Sequence, residues 1–383
     1  MKPICSALGL AGVLVLCAAV ATASAQTPSS ASGAFLSRID AAVPGLLDKH
    51  GEPGIAVVFI DSCKASIRTY GVANREQGAA VRADTVFNLG SISKTFTAWT
   101  VMTLVEAGRI KLDDPVNVYL KRWHLPDAAF DRSAVTVRRL LNHTAGISIP
   151  SVSGVDRDAP LPSLIDELNG RGPEKTPVQI IKAPGETFEY SGGGYAILQL
   201  LVEDVTGQPL AAYAKKVLFD PLGMTSTSFG WTREAVQRAA TPYLGDGSRY
   251  RLREFGATGA AGLVSTIDDM SRFARAHCAG PNADAKRIVL KRETLEQMRA
   301  EAVPAAALGR GALYGLGYNV FPVPSPGFTV AGHSGSNLGW KAEFMTVPAQ
   351  DLGIVILTNA GDGKTRNDVM RMFREEVRSR LPR

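Results

Sequence analysis

The 383-residue chain has only four cysteines, and two of them, Cys5 and Cys17, fall in its first apolar stretch. It has no C-x-x-C pair, no H-E-x-x-H motif and no acidic calcium loop, so the usual ligand spacings for zinc and calcium are missing. No metal and no organic cofactor is expected. G-x-S-x-G is also missing, which excludes the strand-to-helix elbow of a Ser-His-Asp α/β-hydrolase. There is no internal repeat, and after the first stretch no apolar run is long enough to span a bilayer. Charge of neither sign is blocked together. The 42 Lys and Arg against 36 Asp and Glu leave a formal +6 spread along the chain, with no nucleic-acid motif. Nucleic acid is therefore not an expected partner, and the surplus suits an anionic cell envelope only weakly.

What is present starts with MKPICSALGLAGVLVLCAAVATASAQ. Lys2 supplies a positive start, Ala7 to Val20 an apolar core, and Ala23-Ser24-Ala25 a small-residue cleavage site, so residues 1–25 are expected to be an export signal. A transmembrane anchor is the competing reading, but the run is short and frays into Thr and Ser. Leu16 before Cys17 is too bulky for a lipoprotein site. Cleavage would remove Lys2 and lower the charge from +6 to +5, leaving a chain expected to be soluble in the periplasm or outside the cell. Of the cysteines, Cys63 and Cys278 would remain, either as one disulfide or as two unpaired thiols.

Residues 26–33 (QTPSSASG) are a polar linker. Phe35, Ile39, Val43, Leu46 and Leu47 have helical spacing within 34–50. GIAVVFI and the stretch from Ser66 to Val72 are strand-like, and Asp61-Ser62-Cys63-Lys64 between them predicts a hairpin. From Ser91 to Ala107 apolar residues lie all round a helix, which predicts burial. GLGYNVF, FTVAGHSG, KAEFMTVP and LGIVILTNA are β-rich, and a last amphipathic helix carries Val369, Phe373 and Val377. The expected class is α+β: an antiparallel sheet built from both termini (34–112 and 251–383), flanked by helices, with a mostly helical insertion at 113–250.

Ser91-Ile92-Ser93-Lys94 is the one place where a lysine follows a serine by three residues. That spacing on a helix puts both side chains on one face. A serine hydroxyl is a poor nucleophile until a base takes its proton, and a lysine titrating at about 10.4 is almost wholly charged at neutral pH. Burial disfavours the ammonium and can make it such a base. The helix start also favours negative charge developing at an attacked carbonyl.

GSISKTFTAWTVMTLVEAGRIKLDDPVNVYL and VTVRRLLNHTAGI resemble the nucleophile region of serine β-lactamase-related enzymes: class C β-lactamases, D-alanyl-D-alanine carboxypeptidases, esterases and D-aminopeptidases. The similarity continues in order through APGETFEYSGGGYAILQLLVEDVTG, FDPLGMTSTSF, AGLVSTIDDMSRFARAH and HSGSNLGWKAEFMTVPAQDLGIVILTNA. It implies the β-lactamase/transpeptidase-like fold, Ser91 as nucleophile, and Lys94 with Tyr190 as proton-transfer groups. In Tyr190-Ser191-Gly192, Gly192 stands where the family has an asparagine that donates to substrate, so it inherits no role. His333-Ser334-Gly335 stands where the family has Lys-Thr-Gly or His-x-Gly. The resemblance implies substrate contacts there and an oxyanion hole from the N–H groups of Ser91 and Ser336. His143 is expected to fix its loop; His50, His124 and His277 have no supporting context.

The expected activity is that of a secreted serine hydrolase working through an acyl-enzyme on Ser91. Its substrates would be D-amino-acid peptides (carboxypeptidase or aminopeptidase type) or small esters. A class C-like β-lactamase is the alternative, and a slow receptor for β-lactams or muropeptides is an alternative of another kind. The stretch AGDGKTRND lacks the class C tyrosine- and proline-containing run, but Lys364 or Arg366 is a candidate for binding a carboxylate.

Overall fold

The computed structural model describes residues 30–280, 288–325 and 327–381. The expected export signal at 1–25 lies outside them. Residues 30–33, expected as the end of a linker, are instead the first turn of helix α1, Ser30–His50. The reason is a contact with a distant segment: Ser32 is buried and its hydroxyl donates to the Asp61 carboxylate, which docks that turn on the sheet.

Among the described residues the sheet has nine strands: β1 Gly54–Asp61, β2 Lys64–Asn74, β3 Ala79–Ala80, β4 Val303–Pro304, β5 Leu313–Tyr314, β6 Asn319–Val323, β7 Phe328–Asn337, β8 Trp340–Val347 and β9 Leu352–Thr358. They lie in the order β3-β2-β1-β9-β8-β7-β6-β5-β4, and every pairing is antiparallel. The first and last parts of the chain therefore meet where Ile55 faces Thr358 and Val58 faces Val355. The β1–β2 hairpin forms at the expected turn, where Ser62 and Cys63 take φ of 50° and 62°. That left-handed pair matches the twist of two strands joined by two residues.

Both faces of the sheet centre are covered, which is why GIAVVFI and LGIVILT are continuous apolar runs rather than alternating ones. Ile55, Val57 and Phe59 point to a core shared with α1 and a C-terminal helix, Lys364–Ser379. Ala56, Val58 and Ile60 point to the larger core that holds α2, Ile92–Glu106. As its all-round apolar pattern predicts, α2 is buried from Ile92 to Met102. Its polar side chains are satisfied internally: Thr95 Oγ1 donates to Gly317 O at 2.8 Å and Thr97 Oγ1 to Gly259 O at 2.8 Å. Helix α3, Gly192–Thr206, packs beside it.

Between Asp113 and Tyr250 the described helices other than α3 are short, and the region is not purely helical. Ser228–Phe229 pairs with Leu263–Thr266, which in turn pairs with Val86–Asn88. This small sheet delivers the chain to Ser91. Phe59 sits at the centre of the α1-side core, 4.5 Å from the Phe35 ring and 6.4 Å from Phe373. Phe59→Ala should lower the unfolding free energy by about 3–5 kcal/mol in guanidinium titration; a loss below about 1 kcal/mol would contradict this packing.

Candidate active site

The strand Val86–Asn88 ends in a tight turn that sets Ser91 at the mouth of α2. Gly90 takes φ +52°, and its N–H donates to Asn88 Oδ1 at 3.0 Å. A serine at a helix start ordinarily caps the first turn with its oxygen. Ser91 makes no such bond; Ser93 ties the turn instead, donating from Oγ to Gly90 O at 2.6 Å and accepting from the Leu263 N–H at 2.9 Å. The Ser91 hydroxyl is thereby left to the site.

Two groups engage it. Lys94 Nζ donates to Ser91 Oγ at 3.2 Å and to the Ala260 carbonyl at 2.8 Å. The Tyr190 side chain lies beside it, and Ser91 lowers the Tyr190 pKa against the larger, opposing effect of burial. Lys94 is 1% exposed, and among the described residues no carboxylate pairs with it. Its other neighbours are aromatic faces, Tyr190 at 4.9 Å and Tyr195 at 5.7 Å from Nζ. Burial brings its pKa down to about 7. About half the lysines are then neutral at pH 7, with a lone pair directed at the serine proton and an N–H kept for Ala260. Tyr190 is shifted the other way: burial raises its pKa above the usual phenol value, so it stays a neutral O–H donor.

Tyr190 is held by its neighbour. Ser191 accepts from the Gly194 N–H at 2.9 Å, capping α3, and donates to Ser148 O at 2.7 Å. Its own N–H donates to His143 Nδ1 at 3.1 Å. His143 therefore fixes the loop, as its motif implied, and burial holds its pKa well below the usual imidazole value. Gly192 gives its N–H to Ile149 O at 2.7 Å, and Ile149–Val152 lies against it.

His333 is buried and both of its ring nitrogens have protein partners: its Nδ1–H donates to Ser334 O at 2.6 Å, and its Nε2 accepts from Tyr314 Oη at 2.9 Å. Burial and the nearby Lys94 charge lower its pKa to about 3, so it is neutral. It acts as a wall. Tyr314, which sequence reasoning missed, completes that wall with ring centroids 4.7 Å from His143 and 5.6 Å from Phe188. Its only signal was an aromatic in a glycine-rich stretch.

Ser334, Gly335 and Ser336 meet the turn through their backbone. A Cβ on Gly335 would sit 1.9 Å from Leu89 O and 3.4 Å from Ser91 N, and one on Gly90 would sit 2.6 Å from Ser336 N. Glycine at both places lets the two chains touch, which brings the Ser91 and Ser336 amides into one corner at the start of α2. The Ser334 and Ser336 side chains alternate to the other face of β7, where Ser336 Oγ accepts from Lys341 Nζ. Lys364 and Arg366 are already paired, with Asp362 at 2.7 Å and Glu343 at 3.1 Å. A cavity of about 630 Å³ lies elsewhere, by Trp99, His277 and Arg299, and none of Ser91, Lys94 or Tyr190 lines it.

A buried lysine one turn after a serine at a helix mouth, with a tyrosine beside the pair, can be set beside known proteins. The β-lactamase family model matches residues 39–378. The chain belongs to the β-lactamase family. Members of this family are serine hydrolases, and this one has their fold. Penicillin-binding protein 4 of Amycolatopsis lactamdurans is 31% identical over 326 residues, covering 82% of this chain and 83% of that protein. Esterase EstB of Burkholderia gladioli is 28% identical over 331 residues, covering 76% and 82%. The octameric penicillin-binding protein homologue from Pyrococcus abyssi superposes with a TM-score of 0.69 at 26% identity, over 85% of this chain and 73% of that one. The β-lactamase/D-alanine carboxypeptidase from Pseudomonas syringae has a TM-score of 0.72 at 21% identity, over 91% and 100%, and shows the shared fold. No described helix of this β-lactamase-family protein is long and apolar enough to cross a membrane.

If neutral Lys94 is the base, hydrolysis of an uncharged ester should need its deprotonated form. The plot of kcat/KM against pH should rise through an apparent pKa near 7 and then level off. A profile flat from pH 6 to 9 would contradict the assignment.

Proposed function

We propose that this protein is an exported hydrolase that cleaves D-amino-acid peptides or small esters through an acyl-enzyme on Ser91. The observation that carries the reading is the Lys94 ammonium, buried without a carboxylate and hydrogen-bonded to the Ser91 hydroxyl. A structural lysine has no reason to be there; a proton acceptor has. In the proposed reaction Ser91 Oγ attacks the acyl carbonyl while its proton passes to Lys94, directly or through Tyr190. The Ser91 and Ser336 N–H groups and the start of α2 stabilise the oxyanion. The proton then returns to the leaving group, and water, activated by the same pair, releases the acyl group.

The peptide or ester preference is supported by the neutral His333 at the position that a lysine holds in Lys-Thr-Gly enzymes, and by relatives named as a penicillin-binding protein and an esterase. Export rests on residues 1–25 alone. Ser91→Ala should lose hydrolysis of p-nitrophenyl esters and D-alanyl peptides by at least about 10³-fold; retained hydrolysis would sink the mechanism. Intact-protein mass spectrometry with a fluorescent penicillin separates the substrate classes. A long-lived adduct on Ser91 fits a peptidase, whereas brief labelling with rapid turnover makes this a β-lactamase. A stable adduct together with no hydrolysis of any ester or peptide makes it a receptor.

A further inference from the structure

Three turns meet at a corner remote in sequence from Ser91. They are Ser62-Cys63 between β1 and β2, the segment 276–280 after the helix Ile267–Arg275, and Pro348–Asp351 between β8 and β9. The Cys63 Sγ, the Cys278 Sγ and an Asp351 carboxylate oxygen all lie within 4.8 Å of one another. Main-chain contacts hold the corner together. Arg275 Nε donates to Cys63 O at 2.8 Å, and Asp351 Oδ1 accepts from the Ala279 and Gly280 N–H groups at 2.9 and 3.1 Å. Cys63 is buried in a left-handed turn, and Cys278 follows the end of its helix. Both lie outside regular helix and strand, and a disulfide would need their sulfurs to close from within 4.8 Å to about 2.05 Å.

We propose that Cys63 and Cys278 become joined by a disulfide when the protein meets a disulfide oxidant, as an exported chain does. The Cys278 position follows Cys63 by 215 residues, so the bond would close a loop containing Ser91, Lys94 and Tyr190. The chemistry is two exchanges. One cysteine thiolate attacks a sulfur of the oxidant, a protein disulfide or oxidised glutathione, and breaks its S–S bond, releasing one thiol. The second cysteine then attacks that mixed disulfide and releases the other thiol. Two electrons pass to the oxidant, and the two protons leave on its thiols. A zinc ion is the competing occupant. It is disfavoured because one Asp351 oxygen is already committed to two amides. The long loop makes the bond a large constraint on the unfolded chain.

The test incubates the purified full chain with oxidised glutathione, removes it, then alkylates under denaturant without reductant. The protein should be lighter by two hydrogen atoms, with Cys63 and Cys278 unalkylated and recovered in one linked peptide. Reduction should lower its Tm by about 5 °C, and a Cys278→Ser variant should show no response to reductant. Alkylation of both cysteines after oxidation would overturn the proposal. Stoichiometric zinc retained through dialysis, with both thiols shielded by it, would overturn it in favour of a metal site.

Discussion

Lys94 is an amine whose partners among the described residues are a carbonyl, the Ser91 hydroxyl and aromatic faces. Its pKa falls from 10.5 to about 7 for that reason, with no opposing carboxylate to hold it up. At about 1.4 kcal/mol per pH unit, keeping the lysine there costs the folded state about 4–5 kcal/mol below pH 7. The sign follows from the depressed value. Between about pH 7 and 10.5 the unfolded chain holds more protons on this lysine than the native one, so the cost is relieved as pH rises. A penalty of that size is a sizeable part of a typical net stability, and the surrounding architecture is arranged to sustain it.

The groups around Lys94 are neutral for the same reason that it is nearly so. Burial keeps Tyr190, Tyr195 and Tyr314 as phenols and pushes His143 and His333 down to neutral imidazoles. The Ala260 carbonyl is held on the lysine by two ties at Gly259: its N–H donates to Gln199 Oε1 at 2.9 Å and its carbonyl accepts from Thr97. From the other side, Gly335 lets β7 press its backbone against the Leu89–Ser91 turn. The nine-stranded sheet thus supplies amides, α2 supplies the serine and lysine, and the segment leading into α3 supplies the tyrosine.

Much of this was legible in the sequence because it rests on spacing and pattern. The i, i+3 Ser91–Lys94 pair, the all-round apolar α2 and the turn at Ser62-Cys63 each follow from local rules, and family order added Tyr190. Other features depend on contacts between distant segments and left no local trace. Tyr314 takes up the second nitrogen of His333 from another strand, a partnership that no local pattern around His333 announces. Ser32 is drawn into α1 by Asp61, a residue in the first sheet strand. The touching backbones at Gly90 and Gly335 need the 244 residues between them to fold before either glycine has a reason.

The central claim is that Lys94 is neutral, or close to it, at the pH where the protein works. Chemical-shift titration of lysine labelled with ¹³C at Cε, with Lys94→Met to assign the resonance, measures it directly. A resonance titrating near pH 7 is the result this account requires. One titrating near 10.5, with the other lysines, would contradict it, because Ser91 would then stand beside a permanently charged neighbour with no base to take its proton.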